Sequence, residues 1–162
     1  TEAIAKEGGI KVILDAMNTH KGYLGAVQVV ACAALANLAL NNDNAKAIAK
    51  LGGVKMILSA MRKHKDNLHL YHTGCRALAN LACDSDDNRK IIAKEGGIKV
   101  IIDAMEIYKT VPCWKESEIL CFASLAISNL ALNAENSQKI EKEGGAYVRR
   151  CVEFFINAPM GT

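Results

Sequence analysis

The chain has 162 residues, 51% of them hydrophobic and 5% aromatic, with only two prolines, so it carries enough apolar material for one packed, mainly helical domain and is no disordered tail. Its 20 Lys+Arg stand against 17 Asp+Glu for a formal charge of +3, and only five of the cations are Arg, which argues against a dense phosphate-binding stripe and a nucleic-acid partner. The longest weakly polar run, Gly25 to Leu40, is interrupted by Gln28 and Asn37 and falls short of the roughly 20 residues that a membrane-spanning helix needs.

In chain order, Lys6-Glu7-Gly8-Gly9-Ile10 comes first, followed by Ile10, Ile13, Leu14 and Met17 at i, i+3, i+4 and i+7. That spacing predicts a helix with one buried stripe. A polar loop over Asn18 to Tyr23 leads to a long Ala/Leu-rich helix, about Ala26 to Leu40, which ends in Asn37-Leu38-Ala39. Next comes a short helix, Asn44 to Leu51, whose Asp43 suits the free N–H groups and the dipole of a helix start.

The same landmarks then return. The Gly-Gly pairs at 8, 52, 96 and 144 are separated by 44, 44 and 48 residues, and Asn44, Asn88 and Asn136 each lie eight residues before such a pair. The second-helix stripe recurs as Val54, Ile57, Leu58 and Met61 and as Ile98, Ile101, Ile102 and Met105. Loops over Lys63 to Asn67 and over Lys109 to Lys115, with Pro112 as a breaker, lead to third helices over Leu68 to Cys83 and Glu116 to Leu132. Asn-Leu-Ala recurs at 80–82 and 129–131, and a second short helix runs from Asn88 to Glu95 with Asp87 at its start. A period in the forties is the mark of a solenoid, in which each unit buries its apolar side only by stacking on neighbours. Each glycine pair is expected to end one helix and turn sharply into the next. Alanines 31, 34, 77, 79, 123 and 126 would let successive third helices approach closely, to form one wall.

A short helix from Asn to Gly-Gly, an apolar second helix and a long Ala/Leu helix ending in Asn-Leu-Ala resemble the armadillo repeat, the unit of beta-catenin and importin alpha. The likeness covers nearly the whole chain: a partial repeat over 1–41, repeats over 42–84 and 85–133, and a partial or capping repeat over 134–162. It implies an all-α, right-handed superhelix whose third helices line a concave groove for a partner protein, often an extended segment. It also implies that Asn37, Asn80 and Asn129 hold the partner's backbone. The chemistry agrees, because a side-chain amide offers an extended strand a donor and an acceptor at once. The same residues also suit a purely structural role, as local caps or bonds to a neighbouring loop carbonyl.

Residues three, four and seven positions from each Asn share its helical face: Val30, Ala33 and Leu40; Thr73, Arg76 and Cys83; Phe122, Leu125 and Leu132. The position four before the Asn, typically Trp in importin alpha, is Ala33, Arg76 or Leu125 here, and no acid stands on the face by this count. The departure argues against a basic localisation signal as ligand, and points to a partner with apolar anchors and an acidic group near Arg76.

Other constellations weigh little. His64, His69, His72 and Cys75 are the one metal-like group, but no second ligand pair lies at metal spacing, and solvated histidines at a helix start explain them better. The glycine pairs fit neither a phosphate loop nor a dinucleotide fingerprint, and no nucleophile elbow or zinc-protease motif occurs, so neither cofactor nor enzyme is expected. Lys11, Lys55 and Lys99 recur once per repeat as a solvated outer face, with a membrane-lipid or acidic-partner stripe as the sharper alternative. The cysteines, without any Cys-x-x-Cys, mostly fall in apolar stretches and read as buried reduced thiols of a cytoplasmic or nuclear protein.

In the fourth unit Arg149 and Arg150 stand where the apolar stripe should be, and Cys151, Val152, Phe154 and Phe155 shift its apolar side. A polar cap and a repeat cut short near Pro159 both fit. The first unit is expected to leave an apolar stacking face bare, open to self-association. The reading is a non-enzymatic scaffold or adaptor, with a structural spacer that uses its ends or outer face as the alternative.

Overall fold

In a computed structural model of the chain, residues 8–22, 25–108 and 118–157 are described, and among them the backbone forms helices and no strand. The order is α1 (Gly9–Thr19), α2 (Ala26–Leu38), α3 (Asn42–Lys50), α4 (Gly53–Lys63), α5 (Leu68–Ala82), α6 (Asp86–Lys94), α7 (Gly97–Tyr108), α8 (Glu118–Ala131) and α9 (Ala134–Asn157). The expected third helices are α2, α5 and α8, each one or two residues shorter at its described ends than the sequence pattern suggests. Each packs chiefly on the next. The molecule is an all-α solenoid. The Lys109 to Lys115 loop with its Pro112, together with Tyr23, Glu116 and Pro159, lies outside the described residues, as do the side chains of Cys151, Val152, Phe154 and Phe155.

The short helices begin two residues earlier than expected, and their caps are different residues. Asn41 accepts from the backbone N–H groups of Asp43 and Asn44 at 3.1 Å each, Ser85 Oγ from Asn88 N–H at 3.2 Å, and Asn133 Oδ1 from Asn136 N–H at 3.1 Å. Asp43 and Asp87 sit in the first turn instead. There a carboxylate opposes the positive helix end without bonding it.

The two glycines of a pair do different things. Gly52 and Gly96 have φ of +83° and +77°, a left-handed conformation that side chains resist. Gly53 and Gly97 open the next helix so close to the previous one that a Cβ would lie 2.9 Å from the carbonyl oxygen of Ile48 or 2.8 Å from that of Ile92. At Gly144-Gly145 no break occurs, and α9 runs straight through from Ala134 to Asn157. The residues that follow explain it. Ala146, Arg149, Arg150 and Glu153 replace Val54, Ile57, Leu58 and Met61 of α4, so a helix folded back here would have no apolar stripe to bury.

The second-helix stripes are the core as expected: Ile10, Leu14, Met17, the four of α4 and the four of α7 are buried, with Ile13 only partly so. Ala77, Ala79, Ala123 and Ala126 are completely buried between third helices. Gly74 brings α5 equally close to the second helix α4 of its own unit, since a Cβ there would lie 2.6 Å from Met61 Sδ. Burying a side chain such as Ile57 or Leu58 stabilises by about 1.5–3 kcal/mol.

Candidate functional site

The last carbonyls of a helix lack intrahelical partners and must find others. The third helices find theirs across the stack. Asn80 Nδ2 donates to the Ala36 carbonyl of α2 at 2.9 Å, and Asn129 Nδ2 to the Ala79 carbonyl of α5 at 3.0 Å. Each asparagine thus binds the residue that precedes the corresponding asparagine of the previous unit. Buried Asn44 and Asn88 complete the seal, donating to Leu38 O at 3.1 Å and Leu81 O at 2.9 Å, while Arg89 Nε takes Ala82 O at 2.9 Å.

That register sets Asn37, Asn80 and Asn129 in one row across α2, α5 and α8. Asn37 is exposed, and Asn80 and Asn129 are half-buried. Arg76 joins the row: its Nη2 donates to Asn37 Oδ1 at 2.6 Å and lies 3.5 Å from Ala33 O. The internal bond to a neighbouring carbonyl is therefore present, although the acceptor belongs to a helix and not to a loop. Asn80 and Asn129 still have a second N–H and an oxygen, and Asn37, whose oxygen serves Arg76, has its N–H groups, because the inventory of an asparagine is larger than one bond.

Around the row the surface is apolar. Val30, Leu40, Leu125 and Leu132 are 69%, 73%, 44% and 68% exposed, and Phe122 and Ala33 are partly exposed. Val30 also belongs to an apolar concavity of about 430 Å³ at the first-unit end, shared with Ile13, Val27 and Ala34.

Two expectations for this face need correction. Thr73 does not line it, being buried with its hydroxyl donating back to His69 O at 3.0 Å. Helix α5 is covered on both flanks by α2 and α8, so only a narrow strip stays open, and His72 rather than Thr73 lies on it. The face also carries an acid. Glu118 Oε2 stands 3.0 Å from His72 Nε2, an ion-pair distance off the hydrogen-bond line, and the His72 ring meets Phe122 edge-on at 5.2 Å. The i, i+4 rows His72-Arg76-Asn80 and Glu118-Phe122 were the available signal, which a count limited to seven positions from the Asn passes over.

The thiols divide. Burial pushes Cys32 and Cys75 up to about 12, with each other's proximity adding to the effect at Cys75. Cys83 and Cys121 are exposed. Partial burial followed by the Asp84 carboxylate raises Cys83, and partial burial followed by Glu118 raises Cys121. Among the described residues no three His, Cys, Asp or Glu side chains could share a metal ion, and no helix is long and apolar enough to cross a membrane.

A family model of the GAC ARM domain matches residues 1–144. Two crystal structures of engineered proteins have a similar fold. One has a TM-score of 0.77 at 26% identity over 98% of this chain and 59% of that one; the other has 0.76 at 29% identity over 91% and 33%. The chain thus spans less than two thirds of either. No curated protein matches it.

Proposed function

This chain belongs to the GAC ARM domain family, an armadillo-repeat family, and from that premise we propose that it is a non-enzymatic scaffold that holds an extended segment of a partner protein along the wall of α2, α5 and α8. The observation that carries the proposal is the row of Asn37, Asn80 and Asn129, whose remaining amide groups stand among the exposed Leu40, Leu125 and Leu132. At about 3.3 Å per extended residue, a strand lying across helices packed ~8–10 Å apart meets a new amide every third residue or so. Apolar anchors would sit on the leucines and Phe122. An acidic group would take the donors of Arg76 that Asn37 leaves open, while Glu118 disfavours acid at the far side of His72. The four free cysteines described support a reducing compartment, cytoplasmic or nuclear.

The test is selection of linear peptides from a display library, followed by titration against variants. Selected peptides should lose at least about tenfold in affinity to Leu125→Glu, an exposed position whose change leaves the stack intact, and should bind Lys11→Glu normally. Equal binding to both variants would remove the third-helix wall from the proposal.

The concavity around Ile13, Val27 and Val30 favours a second reading, assembly through the first-unit end, since apolar patches of this kind drive association. Light scattering across a concentration series discriminates. Growth of particle mass that Val30→Asp abolishes supports assembly, and a constant monomer mass refutes it.

A further inference from the structure

Away from the third-helix wall, the end of α1 and the outer side of α4 enclose a cavity of about 270 Å³. Its floor includes Met17, Met56 and Ala60, and its rim includes Lys21, Lys55, Lys63 and Ser59. No acidic residue lines it. Lys55, Ser59 and Lys63 follow one another at i, i+4 and i+8 of α4, so their side chains fall along one side of that helix.

The repeat itself marks this position as unusual. Position 59 corresponds to Asp15 in the first unit and to Asp103 in the third. In the third unit Asp103 forms an ion pair with Lys99 one turn before it. Here the acid is replaced by serine, and among the described residues Lys21, Lys55 and Lys63 have no carboxylate within ion-pair distance. A helix C-terminus beside an anion would ordinarily be repulsive. Buried Gln28 reduces that repulsion by donating its Nε2 to Met17 O at 3.0 Å and to His20 O at 3.3 Å. Three ammonium groups around a partly enclosed apolar floor create a local potential that isolated surface lysines, screened by salt, do not.

We propose that this cavity binds a compact phosphate-type anion carried on a small apolar stem: the lysines and the Ser59 hydroxyl take the oxygens, and Met17 and Met56 take the stem. The site shares no residue with the partner-binding wall and stands or falls independently of it. The probe is phenyl phosphate, followed by backbone amide NMR shifts and calorimetry, with inorganic phosphate for comparison. Shifts should centre on residues 17–21 and 55–64, phenyl phosphate should bind more tightly than inorganic phosphate, and affinity should fall with added salt. Ser59→Asp restores at an exposed position the acid that the neighbouring units carry, and Lys55→Gln/Lys63→Gln removes two positive charges. Each should weaken binding by about tenfold or more, the scale of losing a charge-assisted hydrogen bond, with an unchanged circular dichroism spectrum. Equal affinity across the variants, or shifts centred elsewhere, would overturn the site. So would a protein that ignores soluble phenyl phosphate yet sediments with phosphatidylcholine vesicles containing phosphatidic acid, because the lysines would then be serving a membrane surface.

Discussion

An asparagine side chain can close a helix end from a distance, and this protein uses that ability twice in each of its second and third units. The amides of Asn44, Asn80, Asn88 and Asn129 all reach carbonyls near the end of a third helix. Replacing Asn88 with alanine leaves Leu81 O buried without that partner. It is expected to lower stability by about 1–3 kcal/mol in urea unfolding, and loss of under half a kcal/mol would contradict the bond's role. Asn80→Ala mixes two effects, a lost structural bond and a lost groove amide, so it is a poorer probe of binding than Leu125→Glu. The buried thiols make a separate prediction. With folded values near 12 against an ordinary 9.0, Cys32 and Cys75 stay protonated in the folded chain while the unfolded chain ionises. Their contribution is therefore intact below pH 9 and declines as pH rises from 9 towards 12. Unfolding midpoints measured across that window should fall for the native chain, and should fall less for Cys32→Ala/Cys75→Ala.

Helices start and stop here for reasons that differ in their visibility to the sequence. A glycine pair announces a break, but the break needs an apolar stripe on the far side to make folding back worthwhile, which is why the pair at 52–53 turns and the pair at 144–145 stays helical. Within a working pair the two positions fail differently. Gly52→Ala forces a left-handed φ on a side chain and should destabilise by about 1–2 kcal/mol. Gly53→Ala drives a Cβ against the Ile48 backbone, which cannot yield as a flexible side chain would, and should cost more in the same unfolding experiment. Equal effects would show that crowding at Gly53 is relieved by a shift of α4.

On the scale of the whole molecule, stability is a sum of neighbour contacts, and the contacts between third helices bury alanines. Ala79 is fully buried, and its carbonyl receives Asn129. Ala79→Leu should wedge α5 from α8, with a loss of about 1–3 kcal/mol from overpacking. It should also weaken a bound peptide, because the displacement breaks the register of the asparagine row. Unchanged peptide affinity in a folded Ala79→Leu protein would show that the row is not read as a unit. The solenoid, the three-helix unit, the buried stripes and the asparagine row were all legible in the sequence, because periodicity of 3.6 and of about 44 residues is itself the record of which sides must be covered. The burial of Thr73 and the place of Glu118 beside His72 were not, since each depends on how far a neighbouring helix overlaps.

What the sequence determined by itself is the class of object: a helical array with a repeated amide at the end of each long helix, because apolar spacing and helix breakers act locally and recur. What only the tertiary structure decided is where those amides are directed and which acid comes to stand beside His72. Hydrogen bonds and charge pairs between units form across 40 or more residues of chain, and their geometry exists only once the helices are stacked.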